Sequence, residues 1–483
     1  MRDSSKEEAP PLSQQRQRLL ERLLRDSRIA LPPCPTIPRR EASPSWPLTA
    51  TQQRLWKDWR SGADREPFSE VVLLRLKGLL DVLTLSQALG EVIRRHEILR
   101  ARFVEADGAL SQSPSPEAGL DLSVTDLRGA SAPQKEAISR LYSTEQVNRP
   151  FSLGRLPLVR ANVIVLSTSE RLLLVALPRI ICDRWSQMIL VDELCQHYES
   201  FLSGRPSALD EPEIQWGDYA VWQNDRLQMG ELDGDKEYWQ QKLKSWPPPA
   251  GLPLMRSGPR RSGQRRASCK VTLSDLASRQ VRRAAQTHKL SVYMILLAGW
   301  HTLLSRYSGQ DEVCVQTVAA NRNRAELGTL IGPLANRLVI KLDLTGNPSF
   351  SELMARTKET VVKALEHQEL PWEIMVAERA RGNEAGRTPL ADAMFVMDEG
   401  VRPKSVTGGV EVVEERLEGM MTDADLAIVL WQAGEKFEGA IEYRPALFDD
   451  ETVRHMANGY ERLMEVALSN VACRIKNLPP IAY

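Results

Sequence analysis

Cysteine is scarce and scattered in this chain of 483 residues. Its six cysteines stand at positions 34, 182, 195, 269, 314 and 473, and no two of them form a Cys-x-x-Cys pair. Zinc sites use closely spaced cysteines, and the disulfide frameworks of secreted domains use many cysteines in a short chain. The sequence therefore predicts neither a zinc site nor a disulfide framework, and it favours a cytoplasmic protein.

Net charge and long apolar runs are absent too. The 63 basic and 63 acidic residues balance, so no overall electrostatic field attracts nucleic acid. No apolar run approaches the roughly 18 residues that a membrane-spanning helix needs. The first residues, MRDSSKEEAPP, lack the apolar segment of a secretion signal. The sequence predicts no nucleic-acid partner and no membrane partner.

The motifs of several enzyme classes are also missing. There is no Gly-x-Ser-x-Gly nucleophile turn, no phosphate-binding loop with its lysine, and no Gly-x-Gly-x-x-Gly turn. His96-Glu97 does not start a zinc-protease motif, because Arg100 stands where that motif needs its second histidine. These absences argue against the common hydrolase, NTP-binding and dinucleotide-binding classes, and they predict no metal site.

One stretch, residues 171–204, has the clearest local pattern. Leu172 to Leu177 form a continuous apolar run, which predicts a strand buried on both faces. Pro178 has no backbone N–H and ends the ladder. Helical spacing of apolar residues starts at Ser186, and Gly204 is a typical stop. A short polar turn, 179–184, therefore lies between strand and helix, where folds often present functional groups.

This turn resembles the active-site motif of the condensation-domain superfamily of nonribosomal peptide synthetases, His-His-x-x-x-Asp-Gly. Pro178 and Arg179 stand at the two histidine positions, Asp183 keeps the aspartate, and Arg184 replaces the glycine. Further stretches resemble the other motifs of this superfamily in their usual order: 48–56, 95–103, 216–223, 331–338, 367–373 and 387–395. The resemblance covers nearly the whole chain.

The resemblance implies an α/β fold of two chloramphenicol-acetyltransferase-like lobes in a V-shaped pseudo-dimer, with a tunnel between the lobes and a bridging loop from the second lobe over it. The length suits two lobes of roughly 200 residues. We assign 46–223 to the N-terminal lobe and 224–483 to the C-terminal lobe. Residues 1–45 are predicted to be an N-terminal helix followed by a proline-rich segment, either a surface linker or a docking element for an upstream synthetase. The arginine-rich stretch 246–268 is predicted to be a solvated loop; the alternative is a basic surface that meets a phosphopantetheine arm or an acidic carrier protein.

In the superfamily, the second histidine of the motif orients or deprotonates the acceptor amine. Arg179 cannot act as a general base because a guanidinium stays protonated, but it can bind a carboxylate or stabilise an oxyanion. Pro178 offers no side-chain donor or acceptor. Cys182 is expected to be an inert, buried thiol with a raised pKa. None of the six histidines is expected to replace the missing base.

The resemblance also gives Asp183 a structural role as the salt-bridge partner of Arg322; the alternative is an Asp183 shared among Arg322, Arg179 and Arg184. Arg184 is expected to narrow the tunnel or alter its entrance. The predicted site has Arg179 and Asp183 at the catalytic positions, and its predicted substrate-binding residues are Pro178, Arg184, Trp185, Ser186, Arg322 and Asn336.

Two functions remain open from the sequence. The first is a non-catalytic recruitment platform for carrier-tethered intermediates, as in the X domain of glycopeptide synthetases, whose His-Arg-x-x-x-Asp-Asp-like motif also has arginine at the second position. The second is an acyltransferase that forms an amide or ester from a carrier-bound thioester by positioning alone. A decayed copy that only spaces its neighbours ranks last, because the core patterning is intact.

Both functions imply the same main partner. This is a peptidyl or acyl carrier protein whose phosphopantetheine arm brings the substrate, with no cofactor bound directly. A tailoring oxygenase or neighbouring synthetase modules are further expected partners.

Overall fold

The structure is a computed structural model that describes residues 36–41, 43–61, 69–106, 108–117, 119–244, 266–380, 393–400, 403–406, 409–417 and 424–478. The predicted N-terminal helix, almost all of the arginine-rich stretch 246–268 and most of the motif at 387–395 lie outside the described residues. No helix in these ranges is both long enough and apolar enough to cross a membrane.

Helices and strands are interspersed along the chain. Up to residue 228 they are β1 (Trp46–Pro47), α1 (Ala50–Arg60), β2 (Ser69–Lys77), α2 (Val82–Arg95), β3 (Ala101–Ala106), β4 (Ala109–Pro114), β5 (Asp121–Asp126), α3 (Ala132–Asn148), β6 (Arg160–Val165), β7 (Glu170–Pro178), α4 (Arg184–Leu202) and α5 (Trp216–Gln228). The later elements are α6 (Asp233–Lys244), β8 (Ala267–Thr272), α7 (Asp275–His288), α8 (Val292–Ser308), β9 (Glu312–Ala319), β10 (Asn336–Asp343), α9 (Phe350–Glu366), α10 (Trp372–Ala380), β11 (Ala393–Met397), β12 (Lys404–Val406), β13 (Val410–Glu415), β14 (Leu426–Ala433), β15 (Lys436–Tyr443) and α11 (Asp450–Ser469). In the described residues, three 3₁₀ helices cover Glu97–Arg100, Ala325–Thr329 and Ile475–Asn477.

The described strands form two six-stranded sheets and one of three strands. The first large sheet has the order β12-β13-β2-β7-β6-β5, the second has the order β10-β9-β11-β14-β15-β8, and the small sheet is β1-β4-β3. Each large sheet packs against its own helices around a separate apolar core. The predicted two-lobe α/β fold is therefore confirmed, while the exact lobe boundaries stay a prediction.

The central strand has the predicted character. In β7, Leu173, Val175 and Leu177 pack into the core under α2 and α4, whereas Leu172 and Leu174 pack on the opposite face of the sheet. Such burial on both faces explains the continuous apolar run. The strand ends at Pro178, as the sequence predicts.

Helix α4 begins two residues before the predicted start. Asp183 has extended backbone, and its side chain accepts a hydrogen bond from the N–H of Ser186, so it caps the helix N-terminus. The helix therefore includes Arg184 and Trp185. At the other end, Gly204 adopts φ +67° just after the helix, which is the conformation that a glycine stop provides.

Two segments from the second half of the chain are built into the first lobe. Strands β12 and β13 extend the first sheet, with β13 antiparallel to β2. In addition, Leu327, Leu330, Ile331 and Leu334 are buried in the core of the first lobe. These crossings join the two lobes on either side of the polar turn.

Candidate functional site

A cavity of about 2320 Å³ opens beside the polar turn and is lined by residues of both lobes. Residues of the first lobe that line it include Glu70, Val71, Arg179, Cys182, Asp183, Arg184, Trp185 and Met188. Those from the second half include Tyr293, Val318, Asn336, Arg337, Trp372, Met394, Asp398 and Glu414. The turn after β7 therefore faces a space large enough for a ligand.

Asp183 holds this turn to the second lobe. Besides capping α4, its carboxylate accepts hydrogen bonds from the N–H groups of Leu334 (3.0 Å) and Ala335 (2.9 Å), and from the guanidinium of Arg322 at 3.1 Å. The predicted Asp183–Arg322 salt bridge is thus present, with both side chains buried. Asp183 therefore plays an architectural part at the junction.

Arg322 is enclosed on all sides by this junction. One terminal nitrogen donates to the carbonyls of Leu327 and Leu330, each at 2.6 Å, and the other donates to Asp183. Burial lowers the pKa of Arg322, and the charge of Asp183 opposes that shift. The Trp185 indole also crosses to the second lobe, since it donates to the carbonyl of Gly328 at 3.1 Å.

Arg179, at the position of the usual histidine, faces the cavity in an ion pair. Its Nε lies 3.2 Å from Glu70 Oε1, and the two side chains are 27% and 30% exposed. Glu70 is not among the site residues predicted from the sequence. In the sequence, Glu70 is a single carboxylate at the start of a strand that is rich in branched apolar residues. This pattern does not show which turn the carboxylate faces.

Arg184 makes an ion-pair cluster with carboxylates from the second half of the chain. It lies 3.0 Å from Asp398, just after β11, and 2.6 Å from Glu414 of β13. Arg416 also pairs with Asp398. Burial lowers the pKa of Arg184, but the hydrogen bonds and charges of Glu414 and Asp398 outweigh burial and raise it overall. The structure thus directs Arg184 across the cavity wall rather than toward bulk solvent.

These contacts decide between the two predicted roles of Asp183. Among the described residues Asp183 pairs with Arg322, whereas Arg179 pairs with Glu70 and Arg184 with Asp398. The alternative of an Asp183 shared among three arginines is therefore wrong. The physical reason is that each of the other two cations has its own carboxylate nearby.

The remaining predicted site residues divide into two groups. Trp185 and Asn336 line the cavity, whereas Pro178, Ser186 and the side chain of Arg322 are buried and are not among its lining residues. Asn336 uses its amide to hold the turn before α10: it donates to the carbonyls of residues 368 and 370 and accepts from the N–H of residue 372. Their predicted roles in substrate binding stay predictions.

None of the six histidines lines the cavity. His301 is buried and contacts two backbone carbonyls, and burial lowers its pKa to about 4. His197 is buried, and burial likewise lowers its pKa. In the described part of the chain, no group of three or more His, Cys, Asp or Glu side chains could hold a metal ion.

Cys182 lies within the turn, but its thiol is buried, and burial raises its pKa well above the usual range. Because the thiolate is the reactive form, we expect iodoacetamide to leave Cys182 unmodified in the folded protein while it modifies the partly exposed Cys473. Peptide mass mapping before and after unfolding in urea measures this. Modification of Cys182 at the rate of Cys473 in the native protein would contradict the burial.

The comparisons with known proteins agree with this architecture. The condensation-domain family model matches residues 43–480. The chain is 34% identical to malpinin synthetase of Mortierella alpina over 426 residues, which cover 88% of this chain and 5% of the synthetase. It is 33% identical to a linear gramicidin synthase of Brevibacillus parabrevis over 437 residues, which cover 90% of this chain and 9% of the synthase. The chain therefore spans less than a tenth of either relative.

Among solved structures, the X-domain from teicoplanin biosynthesis superposes with a TM-score of 0.79 at 25% identity, covering 92% of this chain and all of the X-domain. The same domain has also been solved in complex with OxyB, with the same TM-score and identity. The match over almost the whole chain, together with the relatives above 30% identity, shows that this chain belongs to the condensation-domain superfamily of nonribosomal peptide synthetases.

Proposed function

We propose that this domain binds carrier-tethered peptide intermediates and recruits partner proteins to them without catalysing condensation. The observation that carries this proposal is the cavity lining, in which the usual histidine position is held by Arg179, paired with Glu70, and no histidine is present. A general base for an amine should titrate near neutral pH. Neither an always-protonated guanidinium nor the buried Cys182 supplies one.

The partner expectations follow from the relatives. The teicoplanin X-domain forms a complex with OxyB, which supports a docked tailoring enzyme as the recruited partner here. The gramicidin and malpinin synthetases support a carrier protein with its phosphopantetheine arm as the molecule that delivers the peptide. The arm itself is the only cofactor-like group that the proposal requires.

A single-turnover assay tests the proposal. A carrier protein loaded with a dipeptidyl thioester is mixed with the domain and an amine acceptor, and intact-mass spectrometry follows the acyl group. We expect no transfer above the no-protein control, while calorimetry detects binding of the loaded carrier. The Arg179→Ala variant serves as the matched comparison.

Two outcomes would overturn the platform. Transfer by the wild-type protein that disappears in Arg179→Ala would make Arg179 catalytic. Transfer that is equal in both proteins would instead favour an acyltransferase that works by positioning alone.

A further inference from the structure

The Arg179–Glu70 pair presents both kinds of hydrogen-bonding group to the cavity. The two residues are neighbours because β2 and β7 are antiparallel, with Ser69 opposite Pro178 at the end of the sheet. Glu70 also receives a hydrogen bond from the side-chain amide of Gln187 at 3.4 Å. Guanidinium donors and carboxylate acceptors thus lie side by side, held by three elements.

Arg179 and Glu70 carry opposite charges. An anionic ligand group attracted by Arg179 would also meet the negative charge of Glu70, only 3.2 Å from the guanidinium. A cationic group attracted by Glu70 would meet Arg179 in the same way. A neutral group with one acceptor and one donor avoids both repulsions, and a peptide amide is such a group.

Apolar side chains line part of the same cavity. Met188 of α4, Tyr293 of α8, Val318 of β9 and Met394 of β11 line the same cavity, and Val318 is 42% exposed. An exposed valine facing a cavity favours contact with an apolar ligand group. A neutral amide between apolar side chains is the chemistry of a peptide rather than that of a free amino acid.

We propose that the Arg179–Glu70 pair binds a backbone amide of the carrier-tethered chain, so that the site selects peptidyl ligands over aminoacyl and simple acyl ligands. This inference rests on the proposed binding function. In a peptidyl thioester, the first amide is attached to the α-carbon next to the thioester carbon, close to the end of the arm. An aminoacyl ligand carries an ammonium at that point, and a simple acyl chain carries no donor.

Three small probes test the selectivity. Each carries its acyl group on amino-pantetheine, in which an amide replaces the reactive thioester: acetyl-alanyl, acetyl-lactyl and alanyl. The lactyl probe replaces the N–H by an ester oxygen, and the alanyl probe is a cation. By calorimetry we expect the acetyl-alanyl probe to bind about tenfold more tightly than either other probe, the effect of one net hydrogen bond.

Variants then assign the selectivity to the pair. Glu70→Ala removes the acceptor, so acetyl-alanyl and acetyl-lactyl probes should bind equally well. Arg140→Ala is the matched control: it removes a guanidinium from α3 at the outer part of the same cavity, 73% exposed, and should leave the tenfold ratio unchanged. The affinities of the wild-type protein for the three probes test the selectivity without any variant, even if Glu70→Ala fails to fold.

The outcomes separate this inference from the proposed function. Equal wild-type affinity for acetyl-alanyl and acetyl-lactyl probes, or tighter binding of the alanyl probe, would overturn the amide site and leave the platform standing. Failure of all three probes and of the loaded carrier to bind would overturn the platform and this inference together.

Discussion

Replacing Asp183 by alanine is expected to lower the free energy of unfolding by about 3–5 kcal/mol, because it leaves the buried charge of Arg322 without its counter-ion. The change also removes the cap of α4 and the acceptor for the N–H groups of Leu334 and Ala335. These N–H groups come from the loop that the second half of the chain packs into the first lobe. Urea unfolding followed by circular dichroism measures the effect.

The controls for Asp183→Ala separate charge burial from loss of a surface carboxylate. Asp126→Ala removes an exposed partner of Arg128, and such exposed pairs contribute little, so we expect no resolvable change. The double variant Asp183→Ala with Arg322→Met should be less destabilised than Asp183→Ala alone, since no unpaired charge remains buried. A double variant that is no more stable than the single one would show that the cap and the backbone contacts dominate.

The sequence could predict this junction because its parts are recognisable locally. Asp183 stands in a turn between an apolar strand and an amphipathic helix, and the resemblance supplies Arg322 as its partner. The predicted helix start is two residues late because an N-cap aspartate lets polar residues such as Arg184 occupy the first turn, where no apolar periodicity marks the helix. The apolar pattern therefore predicts the presence of a helix or strand better than it predicts the residues at which that element begins and ends.

The sequence could not predict the partners of Arg179 and Arg184. Glu70 faces Arg179 because of the register between β2 and β7, which the alternation of side chains alone does not determine. Asp398 and Glu414 are more than 200 residues from Arg184. Glu414 reaches it because β13 joins the first sheet, whereas Asp398 lies just after β11 of the second sheet. Such a crossing leaves no periodic signal in the sequence.

Replacing Arg184 by alanine is expected to lower the free energy of unfolding by about 2–3 kcal/mol at pH 7, somewhat less than for a fully buried pair because part of the side chain is exposed. The change leaves Asp398, which is 2% exposed, with Arg416 as its ion-pair partner, and it removes the contact with Glu414. It thereby removes the ion pair that connects α4 to β13. Urea unfolding compared with Arg140→Ala, an exposed pair, provides the measurement and its control.

The effect of Arg184→Ala should depend on pH with a defined sign. Burial raises the pKa of Asp398, but Arg184 and Arg416 outweigh burial and lower it below its usual value. A lowered folded-state pKa contributes stability that is present above the unfolded value of about 3.9 and is lost as the pH falls through the folded value. The difference between wild type and variant should therefore be largest near pH 7 and shrink below about pH 4.

A companion variant shows whether the charges or the packing of Arg184 produce the loss. In the Arg184→Ala variant, the carboxylate of Glu414 no longer pairs with Arg184. The double variant Arg184→Ala with Glu414→Gln removes that negative charge, so it should recover part of the free energy of unfolding that the single variant loses. Arg184→Lys keeps the charge but loses the planar guanidinium that contacts both carboxylates. The free energy of unfolding of this variant should therefore lie between those of the wild type and of Arg184→Ala. An equal loss at pH 7 and at the lowest pH at which both proteins remain folded would mean that the arginine stabilises the junction by filling space, because the charge of Asp398 would then make no difference to its contribution.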